Sequence, residues 1–172
     1  MKPFVYCPHC ATPLNKTVIE NRQRMICSQC GWIHYINPTP VTVAFTVNRN
    51  NELLLIRRAH EPAFNEWALP GGFLETGERP EEGCLRELYE ETSLEGSIEK
   101  LIGVWHRESE MYGSLMVVAY RVQAAHENIR INHEVFEAGF YNPDNLPPVR
   151  IPLHAHIIEA ARWPEEDLSL TL

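Results

Sequence analysis

The chain has 172 residues, room for one catalytic domain with a small appendage and too few for two full domains. Hydrophobic residues at 44% and charged residues at 22% fall near the averages for soluble globular proteins, which excludes a disordered chain and a membrane protein. Fifteen Lys and Arg against 23 Asp and Glu give a formal charge of −8, with the basic residues scattered along the chain. No nucleic-acid footprint is visible in that charge, and an acidic protein that handles phosphate needs cations from solution.

The longest apolar runs, near Val41–Val47 and Leu115–Tyr120, fall far short of the roughly 20 residues a membrane span requires. Lys2 is followed only by Phe4-Val5-Tyr6 before Cys7, without the apolar core of a secretory signal, so a reducing cytoplasm is the expected location.

The first segment, residues 1–37, is rich in Cys, Pro and polar residues. Cys7-Pro8-His9-Cys10 and Cys27-Ser28-Gln29-Cys30 are two CxxC pairs 16 residues apart, the spacing of a structural zinc site. Tetrahedral Zn²⁺ needs four soft donors; each CxxC turn presents two thiolates and the intervening hairpin brings the turns together. Two disulfides are the competing reading, disfavoured by a reducing compartment. His9 could replace a cysteine but is not needed with four thiols at hand, and Gly31 suits the tight backbone after the second pair.

Asn37-Pro38-Thr39-Pro40 marks a boundary, because each proline biases its predecessor toward extended backbone. Beyond it, Val41–Val47, the turn Asn48–Asn51 and Glu52–Arg57 predict a hairpin. Further strands are expected at 98–104, 115–122 and 136–141, with helices over 80–92 and 152–162, giving a mixed α/β (α+β) chain. In the last helix Leu153, Ile157, Ala160 and Ala161 share one face by the 3.6 period, a packing face.

The helix over 80–92 starts well. Pro80 lacks an N–H that the first turn leaves unpaired anyway, and Glu81 and Glu82 suit the N-terminal dipole. At about 100° per residue from Glu87, the arc Cys84, Leu88, Thr92, Leu85 and Tyr89 is the core face, and Glu90, Glu87 and Glu91 converge opposite it beside a bare patch at Gly83. Glutamates at i, i+3 and i+4 repel one another by tenths of a kcal/mol, and Glu90 and Glu91 also oppose the negative end of the dipole. No Lys or Arg follows at 94 or 95, and Arg86 can pair with only part of the charge. A divalent cation is the natural compensating partner, since Mg²⁺ or Mn²⁺ takes oxygen ligands and bridges to substrate phosphates.

The loop before the helix, Trp67-Ala68-Leu69-Pro70-Gly71-Gly72-Phe73-Leu74-Glu75-Thr76-Gly77-Glu78, has glycines where backbone turns sharply or comes close to a ligand. In register with the helix they extend into Gly72-x5-Glu78-x7-Arg86-Glu87-Leu88-Tyr89-Glu90-Glu91-Thr92-Ser93-Leu94. This stretch resembles the Nudix box, G-x5-E-x7-R-E-U-x-E-E-x-G-U with U aliphatic, at every specified position but one. Ser93 stands where that pattern has a helix-terminating glycine that often needs positive φ; serine strains the turn but removes no ligand.

The resemblance implies an α/β/α sandwich with a mixed sheet over residues 38–172, preceded by the 1–37 zinc ribbon. It implies hydrolysis of the diphosphate linkage of a nucleoside diphosphate joined to another group. Glu87, Glu90 and Glu91 would hold Mg²⁺ or Mn²⁺, the Gly72 carbonyl is open as a further ligand, and Arg86 with Glu78 would fix the loop-helix geometry. Family members place the general base differently. Glu134 is the candidate outside the box and Glu137 the second choice, against a plain solvated loop glutamate.

A four-cysteine ribbon before a Nudix domain is similar to the NADH pyrophosphatase branch and to related proteins that cleave ADP-ribose or FAD. The NADH-cleaving branch carries a Ser-Gln-Pro-Trp-type array downstream of the box, where this chain reads Gly103-Val104-Trp105-His106-Arg107-Glu108-Ser109-Glu110-Met111-Tyr112. That departure favours ADP-ribose or FAD over NADH, with release of AMP. Two alternatives stand beside it: a module that senses a nucleotide or contacts RNA without turnover, and sanitation of oxidised nucleoside triphosphates. A homodimer is expected by the same resemblance. Trp105, Tyr112 and Phe45 read as core rather than base-stacking groups, and Arg57 and Arg58 are open between phosphate contacts and salt bridges. His106, His126, His133, His154 and His156 have no ligand spacing and read as surface or core. Cys84 reads as an inert buried thiol.

Overall fold

A computed structural model describes residues 4–162. Two sheets that share no strand organise it. The first is small and antiparallel: β1 (Leu14–Ile19) pairs with β2 (Arg22–Cys27), and β2 with the short β3 (Ile33–His34). Glu20 and Asn21 turn the first hairpin at φ 51° and 60°, the two positive values a tight right-twisted connection needs. On either side the cysteine turns close alike, Ala11 N–H donating to Cys7 O at 2.8 Å and Gly31 N–H to Cys27 O at 3.0 Å. Leu14, Met25 and Trp32 pack on Cys7 and Cys27 and form this unit's core.

The second sheet runs β10-β5-β4-β9-β8, with β6 beside β5 and β7 beside β4. Its strands are β4 (Thr39–Val47), β5 (Leu53–Arg58), β6 (Trp67–Ala68), β7 (Gly71–Phe73), β8 (Gly96–Ser109), β9 (Gly113–Ala124) and β10 (Val135–Tyr141). β4 and β9 pair in parallel and every other pairing is antiparallel, so the sheet is mixed. Helix α1 (Pro80–Thr92) covers one face and α2 (Pro152–Arg162) the other.

Alternation along the strands explains the layers. Val43, Phe45, Val47, Leu53 and Leu55 point to the side of Ile157, Ile158 and Ala161 of α2. Ala44 and Leu54, with Val118, Tyr120 and Val122, point to Cys84 and Leu88 of α1. A sheet buried on both faces needs apolar residues at consecutive positions, which is why β4 and β5 read as continuous hydrophobic runs.

The expected elements appear, most of them longer than expected. The 67–78 segment, read as loop, holds two short strands: β7 pairs Gly71 with Val43 and Gly72 with Thr42, and β6 pairs Ala68 with Ile56. Pairings of two and three residues leave no alternation to detect. No described helix is long and apolar enough to cross a membrane. Residues after 162 lie outside the described part.

Candidate active site

The site is assembled where the β6-β7 segment meets α1. Three hydrogen bonds from three elements pin residues 69–71: Ala44 N–H of β4 donates to Pro70 O at 2.8 Å, Leu69 N–H to His154 Nδ1 of α2 at 3.0 Å, and Gly71 N–H to Glu91 Oε2 of α1 at 3.0 Å. Gly71 has no room for a side chain, because a Cβ there would run into the Thr42 carbonyl. Gly72 lies against the Glu87 carboxylate, so closely that a Cβ would stand 2.5 Å from it. The glycine pair is the condition for backbone and carboxylates to meet.

Arg86 is the hub. Its Nε and Nη2 grip Glu78 at 2.8 and 3.0 Å, the bidentate geometry that suits guanidinium and carboxylate. Nη2 also donates to Phe73 O at 2.9 Å, and Nη1 to Glu87 at 2.8 Å and Glu90 at 3.0 Å. Arg86 thus touches two of the three glutamates and ties the loop to the helix; the oxygens of Glu87, Glu90 and Glu91 do not all come within 4.8 Å of one another. Glu78 also accepts the Glu75 N–H at 3.0 Å, and these bonds, Arg86 first, bring its carboxyl down to about 2. Gly83 is not a bare patch beside the carboxylates. It is buried, and the space a Cβ would take is filled by Leu74 and Glu78.

The three glutamates differ. Glu90 is half exposed and bound to Arg86. Glu87 is mostly enclosed, and burial raises its carboxyl against the pull of Arg86. Glu91, expected on the exposed face, is only 4% exposed, because the 69–72 segment folds over it. Burial pushes its carboxyl up to about 8; the Gly71 N–H and Arg58 pull it down, and the charges of Glu87 and Glu134 push it up. The apolar arc is correspondingly narrower than expected, with Cys84, Leu88 and Thr92 buried and Tyr89 54% exposed. Cys84 lies in the core, its thiol pushed up to about 12 chiefly by burial.

Glu87 and Glu91 are enclosed carboxylates served by different cations, Arg86 bonded to the first and Arg58 acting on the second only through its charge, and they form an oxygen-donor set short of positive charge. That fits a hard divalent ion such as Mg²⁺ or Mn²⁺, bound through oxygens, and the fit rests on Glu91 most of all.

Glu134 is exposed in the turn before β10, fixed by its N–H to Asn132 Oδ1 at 2.8 Å and by the Ala59 N–H on its carbonyl at 2.8 Å. Its charge adds, as the smallest of the causes, to those that raise Glu87 and Glu91. Glu137 is engaged elsewhere, with Arg57 at 3.0 Å, so Arg57 forms a salt bridge. Arg58, on the opposite face of β5 from Arg57, is the cation felt by Glu91. Phe45 is core; Trp105 and Tyr112 are partly buried against it.

Sequence reasoning missed the role of His154. Its Nδ1 accepts the Leu69 N–H, so the ring is held neutral with its proton on Nε2, and burial brings its pKa down to about 3. No spacing signal announces this, since the contact joins residues 85 positions apart.

In the small unit, the Cys7, Cys10, Cys27 and Cys30 sulfurs all lie within 4.8 Å of one another. Cys7 to Cys30 is 3.5 Å, Cys10 to Cys27 3.4 Å and Cys10 to Cys30 3.7 Å. These spacings exceed the ~2 Å of a disulfide and approach the roughly 3.8 Å between sulfurs placed tetrahedrally around Zn²⁺. The His9 ring packs near Trp32, with centroids 5.9 Å apart.

The NUDIX domain family profile matches residues 37–163, and a Nudix N-terminal profile, the zinc-ribbon module, matches residues 5–36. An ADP-ribose pyrophosphatase of Methanocaldococcus jannaschii is 31% identical over 130 residues, 75% of this chain and 76% of that protein. The NAD-capped RNA hydrolase NudC of Chromobacterium violaceum is 32% identical over 149 residues, 86% of this chain but 54% of that protein, so the chain spans about half of that relative. Among solved structures, a NUDIX hydrolase from Nitrosomonas europaea superposes with a TM-score of 0.78 at 24% identity, covering 91% of this chain and 89% of that one. The NUDIX domain of Shewanella oneidensis NrtR, solved with ADP ribose, superposes at 0.65 with 22% identity, over 74% of this chain and 88% of that one.

Proposed function

The chain belongs to the Nudix hydrolase family, and from that premise we propose that it hydrolyses the diphosphate bond of ADP-ribose, releasing AMP and ribose 5-phosphate. The observation that carries this choice is the 31% identity, across three quarters of both chains, to a protein named ADP-ribose pyrophosphatase. FAD shares the ADP half and is the next substrate in order. Under the same proposal residues 1–37 form the zinc ribbon and residues 38–172 the catalytic domain.

Glu87, Glu90 and Glu91, with the Gly72 carbonyl, would hold Mg²⁺ or Mn²⁺, and the four cysteines Zn²⁺. Bound divalent ions supply charge neutralisation on the diphosphate and a water of lowered pKa. The residues do the rest. Arg86 Nη1 sets the angle between Glu87 and Glu90, and its Nη2 bond to the Phe73 carbonyl, with the Gly71 N–H on Glu91, holds the end of the glycine strand against the helix. Glu134 takes the proton of the attacking water. The water oxygen bonds to one phosphorus as the bridging P–O bond breaks, and the leaving phosphate takes the electron pair.

A second reading is cleavage of an NAD-type end, favoured by the 32% identity to an NAD-capped RNA hydrolase and disfavoured by the 103–112 sequence. Comparing kcat/KM across ADP-ribose, FAD, NADH and nucleoside triphosphates tests the choice. ADP-ribose should lead by at least about tenfold, roughly 1.4 kcal/mol of transition-state preference; NADH or a triphosphate leading would overturn the assignment.

A further inference from the structure

The overall acidity hides a segregation. Residues 1–36 hold four Lys and Arg against one Glu, whereas the remainder holds eleven against 22 Asp and Glu. Along the sequence these cations look scattered, because they sit on different strands; folding gathers them. Lys16 of β1, Arg22 and Arg24 of β2 and His34 of β3 line one open groove of about 260 Å³, walled by Met25 and Ile36. Among the described residues no carboxylate lines it.

Two features mark the groove as built for an acceptor. Arg24 Nε and His34 Nδ1 are both buried from solvent and have no hydrogen-bond partner, a cost that folding leaves standing unless a ligand relieves it. Aromatic groups accompany the charges. The Arg24 guanidinium lies 4.4 Å from the centre of the Tyr35 ring, and Phe4 packs on His34 at 4.7 Å. Tyr35 and Phe4 remain 49% and 52% exposed.

Cations strung across three strands, rather than converging on one point, suit a chain of phosphates, and exposed rings beside them suit unpaired bases. We propose that this groove binds the phosphodiester backbone of a single-stranded polynucleotide. The site lies among the strands of the small sheet, and its occupation does not depend on ADP-ribose being the substrate of the carboxylate site.

Fluorescence anisotropy of a labelled single-stranded RNA of about a dozen nucleotides, titrated with the full zinc-loaded chain, tests it. Three phosphate contacts give a slope near −2 in log affinity against log salt, so affinity should fall about twenty-fold between roughly 50 and 200 mM salt. The triple variant K16Q/R22Q/R24Q should abolish the anisotropy change while keeping its zinc and its ADP-ribose turnover. Arg22 is exposed, so Arg22→Gln alone should leave the fold of the unit intact, and it should make the slope shallower by about 0.7. Three outcomes overturn the proposal: no binding at the lower salt, binding that Arg22→Gln and the triple variant leave unchanged, or complete displacement by millimolar inorganic phosphate, which would make the groove a small-anion pocket. Loss of ADP-ribose turnover in the wild type would bear on the catalytic assignment and leave this one standing.

Discussion

Glu91→Gln separates charge from shape at the most enclosed carboxylate of the site. The amide keeps an oxygen for the Gly71 N–H, 3.0 Å away in the wild type, and removes only the ionisable group. In the folded, metal-free protein the Glu91 carboxyl is held near 8 against an ordinary 4.5, with burial the first cause. The folded chain therefore keeps a proton that the unfolded chain has lost. The stability tied to that proton is fully present below about 4.5 and is lost as pH rises through 8. At about 1.4 kcal/mol per pKa unit the loss is on the order of several kcal/mol by pH 9. Urea unfolding in chelator at pH 5, 7 and 9 should show the wild type weakening with pH and Glu91→Gln weakening much less. With Mg²⁺ present, losing a charged ligand worth several kcal/mol in the transition state should cut turnover on the order of 10²–10³-fold. A folded Glu91→Gln sample with wild-type turnover would contradict a ligand role for Glu91, and a metal-free wild type indifferent to pH over that range would contradict its raised carboxyl.

Ser93 caps α1 in the left-handed region at φ 57°, its N–H bonded to Tyr89 O at 2.7 Å, so Ser93→Gly should raise stability by about 1 kcal/mol in chemical denaturation with activity retained. His154→Leu strands the buried Leu69 N–H and should cost about 1–3 kcal/mol. Because the His154 pKa is about 3 when folded against an ordinary 6.5, its contribution is present above 6.5 and lost as pH falls toward 3, so the variant's unfolding midpoint should depend less on acid than the wild type's. Gly83→Ala should cost roughly 1–3 kcal/mol by forcing Leu74 and Glu78 aside, measurable as a lower urea midpoint. Protein purified without chelator should carry close to one zinc per chain by elemental analysis; less than half an equivalent would contradict the four-cysteine site.

The α1 register was legible because a helix displays its faces at a fixed period, and Arg86, Glu87, Glu90 and Glu91 fall where that period puts them. What the period cannot show is which side of an acidic face another segment covers. Glu91 is buried by residues 69–72, a contact set by β4 and His154 rather than by α1 itself. For the same reason Gly83 read as open when it seats Leu74. The cysteine spacing was readable since each CxxC turn is local. The basic groove was not, because Lys16, Arg22, Arg24 and His34 meet only once three strands pair.

Turnover at the carboxylate site is tested most directly by the mass of the products after incubating the chain with ADP-ribose and Mg²⁺. AMP and ribose 5-phosphate should form in equal amounts with Mg²⁺ and not at all in chelator. ADP-ribose recovered intact, though tightly bound, would contradict that turnover and make the chain a nucleotide-binding module.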